Sequence, residues 1–131
     1  MVDLRENGGG DDYVIRPLLS VLEAHAALVG AKHVFAIIGR ATASSGLSAA
    51  HDLRARANAT LVGEPSGPNR FGEVRTFALP YSGMLIMYAS KEHQTDAGPA
   101  PTLQPDVIVA PTPEAIVAGR DTALEWIRSH L

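Results

Sequence analysis

The stretch HVFAIIG, residues 33–39, decides the fold of this chain, because it is a continuous apolar run. Such a run is typical of a strand that is buried on both faces of a parallel sheet. The small-residue turn GRATASSG, residues 39–46, follows it, and the sequence predicts a helix from Ser44 or Ser45 to about Ala57. A turn between a buried strand and a helix presents one side chain at the carboxyl edge of the sheet, where ligands bind in open α/β sheets.

The serine in this turn is a candidate nucleophile. A serine at the start of a helix lies beside unpaired backbone N–H groups and the positive end of the helix dipole. Those groups would stabilise an oxyanion formed when Ser44 attacks a carbonyl, in a logic similar to that of a nucleophile elbow. Serine is also a preferred helix N-cap, so the turn can be explained without chemistry. The local pattern leaves both interpretations open.

Strand and helix patterns alternate along the rest of the chain. The predicted elements are a strand end at 2–5, a helix at 13–28 capped by Asp11 or Asp12 and closed by Gly30, strands at 60–63 and 106–110, an antiparallel pair at 74–79 and 84–89, and a last helix at 121–131. Strands that alternate with helices indicate an α/β domain with a mainly parallel sheet flanked by helices, here with an antiparallel hairpin.

The composition fits one globular domain spanning residues 1–131. Hydrophobic residues make up 46% and charged residues 19% of the chain, which excludes a disordered chain. The net charge of -3 offers no basic surface for nucleic acid. Cysteine is absent, so disulfides, thiol catalysis and thiolate metal sites are excluded. No segment reaches the roughly 18 apolar residues of a membrane span, and the first residues lack the pattern of a signal peptide.

The loop ENGGG, residues 6–10, places three glycines between a strand and a helix. Such a loop exposes backbone N–H groups without obstruction by Cβ atoms, so it could bind phosphate or donate to an oxyanion. It lacks the Lys-Ser/Thr pair of a P-loop and the spacing of a dinucleotide-binding loop. A flexible terminal loop without a ligand is the alternative.

Five short motifs in order resemble the family of C-terminal processing (tail-specific) serine peptidases. They are DLRENGGG at 3–10, TAS at 42–44, VGEP at 62–65, PDV at 105–107 and GRD at 119–121. The resemblance implies a core of the Clp-protease and crotonase type built from ββα units, and a polypeptide as substrate. It also implies that the chain corresponds to the C-terminal catalytic-core portion, so we expect a truncated domain that lacks the N-terminal part of the full family domain.

The resemblance further implies roles for individual residues. Ser44, the third residue of the Thr-x-Ser unit, would be the nucleophile. The backbone amides of Ser45 and Gly9 would hold the oxyanion. Losing one such donor typically costs about 3 kcal/mol of transition-state stabilisation.

The sequence offers no clear residue for the general base of this site. One branch of the family has a lysine just after the Gly-Glu-Pro turn, but here the stretch is SGPNRFG, residues 66–72, and an arginine keeps its proton too tightly to act as a base. Among the five histidines, His93 beside Glu92 is the attractive candidate. Glu92 could instead orient a histidine from another segment. A solvated polar loop without chemistry is the alternative for both residues.

The remaining expectations concern ligands and partners. The histidines lack metal-ligand spacing, and no cofactor is implied. Exposed sheet edge would favour self-association. Family members commonly work outside the cytoplasm, but the sequence leaves the compartment open. The alternative function is a catalytically inactive domain of the same fold that binds a peptide tail or an apolar ligand.

Overall fold

The computed structural model of the protein describes residues 1–30, 33–67, 71–92 and 102–131. Its strands and helices follow one another in an alternating order. In chain order they are β1 (Val2–Asp3), α1 (Arg16–Ala24), α2 (Ala26–Gly30), β2 (Phe35–Ile38), α3 (Ser45–Ala57), β3 (Thr60–Gly63), β4 (Phe71–Ala78), β5 (Leu85–Glu92), β6 (Val107–Ile108), α4 (Pro113–Val117) and α5 (Thr122–Arg128).

Four strands form a parallel sheet in the order β1-β2-β3-β6. Helices α1 and α2 connect β1 to β2, and α3 connects β2 to β3, as parallel neighbours require a crossover. Strands β4 and β5 form a separate antiparallel pair. The predicted fold class, a mainly parallel α/β sheet flanked by helices with an antiparallel hairpin, is confirmed.

The sheet separates two hydrophobic clusters, and β2 contributes to both. Ala36 and Ile38 pack on one face with side chains of α1 and α3, whereas Phe35 and Ile37 pack on the other face with α5. All four residues of β2 are buried. This alternation explains why the run is apolar at every position. Full burial of a side chain such as that of Ile37 contributes roughly 1.5–3 kcal/mol to folding.

The first helical segment differs from the prediction, because it consists of two helices that meet at His25. In one continuous helix the His25 N–H would donate to the Val21 carbonyl, but that oxygen lies 2.7 Å from His25 Nδ1, and the N–H bonds Leu22 O instead. The predicted cap is also displaced. Asp11 accepts a hydrogen bond from the Tyr13 N–H at 2.8 Å, in a turn that precedes α1.

Helix α4 was not predicted, although its start carries recognisable signals. Thr112 accepts a hydrogen bond from the Ala115 N–H at 3.2 Å, and Pro113 occupies the first turn. A threonine cap followed by proline is a common helix start. The helix is short, which is why no apolar repeat reveals it.

The β4–β5 hairpin exposes much of its apolar surface. Val74, Leu85 and Met87 are each more than 60% exposed. The main sheet ends in the two-residue strands β1 and β6, so its own edges are short. Self-association through exposed edges stays a prediction. No helix in the described ranges is both long and apolar enough to cross a membrane.

Candidate active site at the serine turn

The loops that follow the parallel strands meet at the carboxyl edge of the sheet. The Leu4 N–H after β1 donates to Ile37 O of β2 at 2.8 Å, and the Glu64 N–H after β3 donates to Ile38 O at 3.2 Å. Gly63 makes this second contact possible, since its φ is 123° and a Cβ there would collide with Ile38 O. The glycine loop (residues 6–10), the serine turn (residues 39–44) and the Gly-Glu-Pro turn (residues 63–65) therefore lie side by side.

Ser44 has a backbone conformation that non-glycine residues rarely adopt. Its φ is 49° and its ψ is -124°, close to the first central residue of a type II′ turn, a position that glycine dominates. Holding a serine there costs of the order of 1–3 kcal/mol. The side chain is exposed, and α3 begins at the next residue. A strained turn between a strand and a helix is also the backbone geometry that a nucleophile elbow uses.

The glycine loop packs directly on Ser44. A Cβ on Gly9 would lie 2.6 Å from the Ser44 Cβ and 3.1 Å from its Oγ, and Gly9 has a φ of 125°. Both facts require glycine at this position. A Cβ on Gly8, by contrast, would meet nothing within 4 Å. The structure thus places Gly9 against Ser44, two of the residues that the sequence analysis named as site candidates.

The two predicted oxyanion amides differ in whether they already donate a hydrogen bond. The Ser45 N–H is the first of α3 and has no carbonyl of its own helix to bond, and it donates to no acceptor within the described ranges. The Gly9 N–H donates to Asn7 Oδ1 at 3.1 Å. A substrate oxygen would have to replace the Asn7 side chain to reach this second amide.

Thr42 joins the serine turn to the end of β1, a role that the sequence did not reveal. Its side chain is fully buried, with a relative exposure of 0%. The hydroxyl donates to Leu4 O at 2.8 Å and accepts from the Gly39 N–H at 3.0 Å. A backbone bond from the Ala43 N–H to Asn7 O at 3.0 Å lies beside it. The only sequence signal was the position of Thr42 in the Thr-x-Ser motif.

An ion-pair cluster ties the end of β1 to α5. Arg5 Nη2 binds Asp3 Oδ2 at 2.5 Å and Asp121 Oδ2 at 2.7 Å, and Asp121 also caps α5 by accepting the Leu124 N–H at 3.0 Å. Hydrogen bonds from Arg5 hold the pKa of both Asp3 and Asp121 below the usual value, although partial burial opposes the shift. The same bonds raise the pKa of Arg5.

The segment after the Gly-Glu-Pro turn also contacts the serine turn. The Gly67 N–H donates to Arg40 O at 3.0 Å, and Arg40 Nε binds Glu64 Oε1 at 2.9 Å. The buried Ser66 hydroxyl accepts from the Leu103 N–H at 2.8 Å. These bonds hold residues 64–67 beside the serine turn, from where the chain continues to β4.

The histidines in the described ranges do not offer a base beside Ser44. His33 precedes β2, at the amino edge of the sheet, whereas Ser44 follows that strand. His51 lies on α3, seven residues after Ser44, which is about two helical turns from the serine turn. His51 is exposed, and its pKa is lowered, first by partial desolvation and then by the charge of Arg54.

The two other described histidines each contact the helix that precedes them. His25 Nδ1 lies 2.7 Å from Val21 O, and the His130 ring stacks on Trp126 with centroids 3.9 Å apart. Glu92 is the last residue of β5 and pairs with Phe71. The Glu92 side chain and the whole of His93 lie outside the described structure, so the predicted base is untested.

Comparison with protein-family models finds no match, and comparison with curated proteins finds none either. Among solved structures, the chain is similar to one described as a "putative peptidase" from Parabacteroides merdae, with a TM-score of 0.63 and 23% sequence identity. The match covers 73% of this chain and 30% of that structure's chain. At this identity the likeness concerns the fold.

Proposed function

We propose that this chain is the catalytic core of a serine peptidase of the C-terminal processing type, which cleaves polypeptides through an acyl-enzyme on Ser44. The observation that carries the proposal is the Ser44 backbone, with φ 49° and ψ -124°, between a buried strand and a helix. Strain of this kind concentrates at functional positions, because a purely structural turn would favour glycine there. The peptidase description of the similar solved structure supports the same reaction class.

In the proposed reaction, Ser44 Oγ attacks the scissile carbonyl carbon while a base takes the hydroxyl proton. The carbonyl oxygen becomes an oxyanion and accepts hydrogen bonds from the Ser45 and Gly9 amides. Return of the proton to the leaving nitrogen breaks the C–N bond and leaves an ester on Ser44. Water, deprotonated by the same base, then hydrolyses the ester and restores the hydroxyl.

The Asn7–Gly9 hydrogen bond is compatible with this role of Gly9. It is an exposed bond between neutral groups at 3.1 Å, and such bonds contribute about 0.5–1.5 kcal/mol net. A donor to an oxyanion contributes about 3 kcal/mol. The difference favours replacement of Asn7 Oδ1 by the oxyanion during the reaction.

We further propose that the base group comes from Glu92 and His93 at the end of β5. Glu92 pairs with Phe71, which follows Gly67 by four residues, and four residues span at most about 14 Å. The Gly67 N–H bonds Arg40 O in the serine turn. The maximum span of four residues therefore keeps the open end of the hairpin, where Phe71 pairs with Glu92, near that turn. His93→Gln should abolish acylation, whereas His130→Gln should not change it, because the His130 ring stacks on Trp126 of α5.

A burst assay with an activated peptide ester tests the proposal. Wild-type protein should release one equivalent of alcohol quickly and then turn over slowly, and Ser44→Ala should lose both phases. Ser45→Ala keeps the backbone amide and should retain the burst. Unchanged hydrolysis by Ser44→Ala would refute the assignment of the nucleophile.

The second candidate is an inactive domain that binds a peptide tail or an apolar ligand. The occupied Gly9 amide and the exposed apolar side chains of the hairpin, such as those of Phe77 and Tyr88, favour it. Saturable binding of an apolar peptide without a burst would support this candidate over the peptidase.

A further inference from the structure

We propose that Thr42 is a positioning residue, whose hydroxyl holds the glycine loop in register with Ser44. This inference rests on the proposed serine chemistry for its catalytic consequence. Its geometric part, that one side chain sets the relation between two loops, can be tested without activity.

The proposed oxyanion site is divided between two loops that are far apart in sequence. Gly9 belongs to the loop after β1 and Ser45 to the turn after β2. Their two amides must both point at one oxygen, and a displacement of about 1 Å can reduce a rate about 100-fold. Something must therefore fix the distance between these loops.

The Thr42 hydroxyl is placed to do this. It accepts the Gly39 N–H at 3.0 Å, within its own turn, and donates to Leu4 O at 2.8 Å, across to the other loop. Leu4 is 4% exposed and Thr42 is 0% exposed, so an unmade hydrogen bond is costly here. Leu4 O also accepts the Asn7 N–H at 3.0 Å, but that bond lies within the loop after β1 and does not reach the serine turn. The second link between the loops, from the Ala43 N–H to Asn7 O at 3.0 Å, involves only main-chain atoms.

Two substitutions separate the hydroxyl from the shape of the side chain. Thr42→Val keeps the shape and removes the hydrogen bonds, and it leaves Leu4 O and the Gly39 N–H without that partner. Thr42→Ser keeps the hydroxyl and loses one methyl group. A role in packing alone predicts the larger effect for Ser, whereas positioning by the hydroxyl predicts the larger effect for Val.

The first readout is amide hydrogen exchange of the folded proteins, because it does not depend on activity. Thr42→Val should raise exchange at least tenfold at the hydrogen-bonded amides of Leu4, Asn7 and Ala43 while α5 keeps its protection, and Thr42→Ser should resemble wild type. Wild-type protection of both loops in Thr42→Val would overturn the proposal. If the valine variant does not fold, Thr42→Cys, which keeps a weak donor, should fold and show the same local increase to a smaller degree.

The second readout is the rate of covalent labelling by a fluorophosphonate. Thr42→Val should lower the maximal labelling rate about 100-fold with little change in the concentration for half-maximal rate, and Thr42→Ser should restore it. Equal rates for wild type and Thr42→Val would overturn the positioning role. A folded wild type that is not labelled would instead contradict the proposed function. Hydrogen exchange by itself would then test whether Thr42 holds the two loops together.

Discussion

The guanidinium of Arg5 binds the carboxylate of Asp121 at 2.7 Å, across 116 positions of sequence. Arg5 follows β1 and leads into the glycine loop, and Asp121 is the N-cap of α5. The pair therefore connects the loop beside Ser44 to the helix that covers the opposite face of β2. The Asp-Leu-Arg segment (residues 3–5) and the Gly-Arg-Asp segment (residues 119–121) each supply one partner of this ion pair.

This ion pair predicts a pH dependence of stability. Because the pKa values of Asp3 and Asp121 are lowered in the folded protein, the unfolded chain binds more protons in acid, and stability rises with pH there. The contribution is complete above the unfolded pKa of about 3.9 and is lost as the pH falls through the folded values.

Urea unfolding between pH 2 and 6 checks this dependence. Asp121→Asn keeps the cap but removes the charge, so its stability should change less with pH than that of wild type. Asp12→Asn is a suitable control, because Asp12 makes no ion pair within the described ranges. Equal pH profiles for wild type and Asp121→Asn would rule out the linkage.

The contact between Gly9 and Ser44 predicts a large difference between neighbouring glycines. A Cβ at Gly9 would lie 2.6 Å from the Ser44 Cβ, whereas one at Gly8 would meet nothing within 4 Å. Gly9→Ala should therefore slow fluorophosphonate labelling about 100-fold, and Gly8→Ala should stay within a few-fold of wild type. Comparable rates for the two variants would show that the glycine loop does not serve Ser44.

The strain at Ser44 predicts a trade-off between stability and reactivity. Glycine adopts the Ser44 conformation without a steric cost, so Ser44→Gly should unfold at a higher temperature than Ser44→Ala, with a difference of about 1 kcal/mol or more. Both variants should be unlabelled. Differential scanning calorimetry makes the comparison, and an alanine variant as stable as the glycine variant would argue against strain.

The environment of His51 predicts an imidazole that loses its proton readily. Partial desolvation and the Arg54 charge lower the pKa of His51, so its titration midpoint in NMR spectra should fall below the usual value of about 6.5. Since the unfolded chain takes up this proton first, His51 should reduce stability as the pH falls below that value. A midpoint at or above 6.5 would contradict the structure.

The apolar patterns of the sequence were sufficient to predict the main sheet. The run at 33–39 forms β2, and the predicted strand at 60–63 coincides with β3. Periodicity failed where side chains compete with the main chain, as His25 does at the end of α1, and where the element is as short as α4. Such details depend on single hydrogen bonds that leave no periodic trace.

The candidate site was predictable only in part. The small-residue turn drew attention to Ser44 as a candidate, and the resemblance to C-terminal processing peptidases pointed to Gly9 within the glycine loop. The sequence did not identify Thr42 or the Arg5–Asp121 pair, since their partners are a main-chain oxygen and a residue at the other end of the chain. The use of Asn7 Oδ1 as the acceptor for the Gly9 N–H likewise depends on the folded loop.

The central claim is that Ser44 is an activated nucleophile, and covalent labelling tests it most directly. Wild-type protein is treated with a fluorophosphonate and digested, and the modified residue is located by tandem mass spectrometry. We predict one adduct per chain on Ser44, none in Ser44→Ala, and undiminished labelling of Ser44 in Ser45→Ala. A folded wild-type protein that carries no adduct, or carries it on Ser45, would contradict the account.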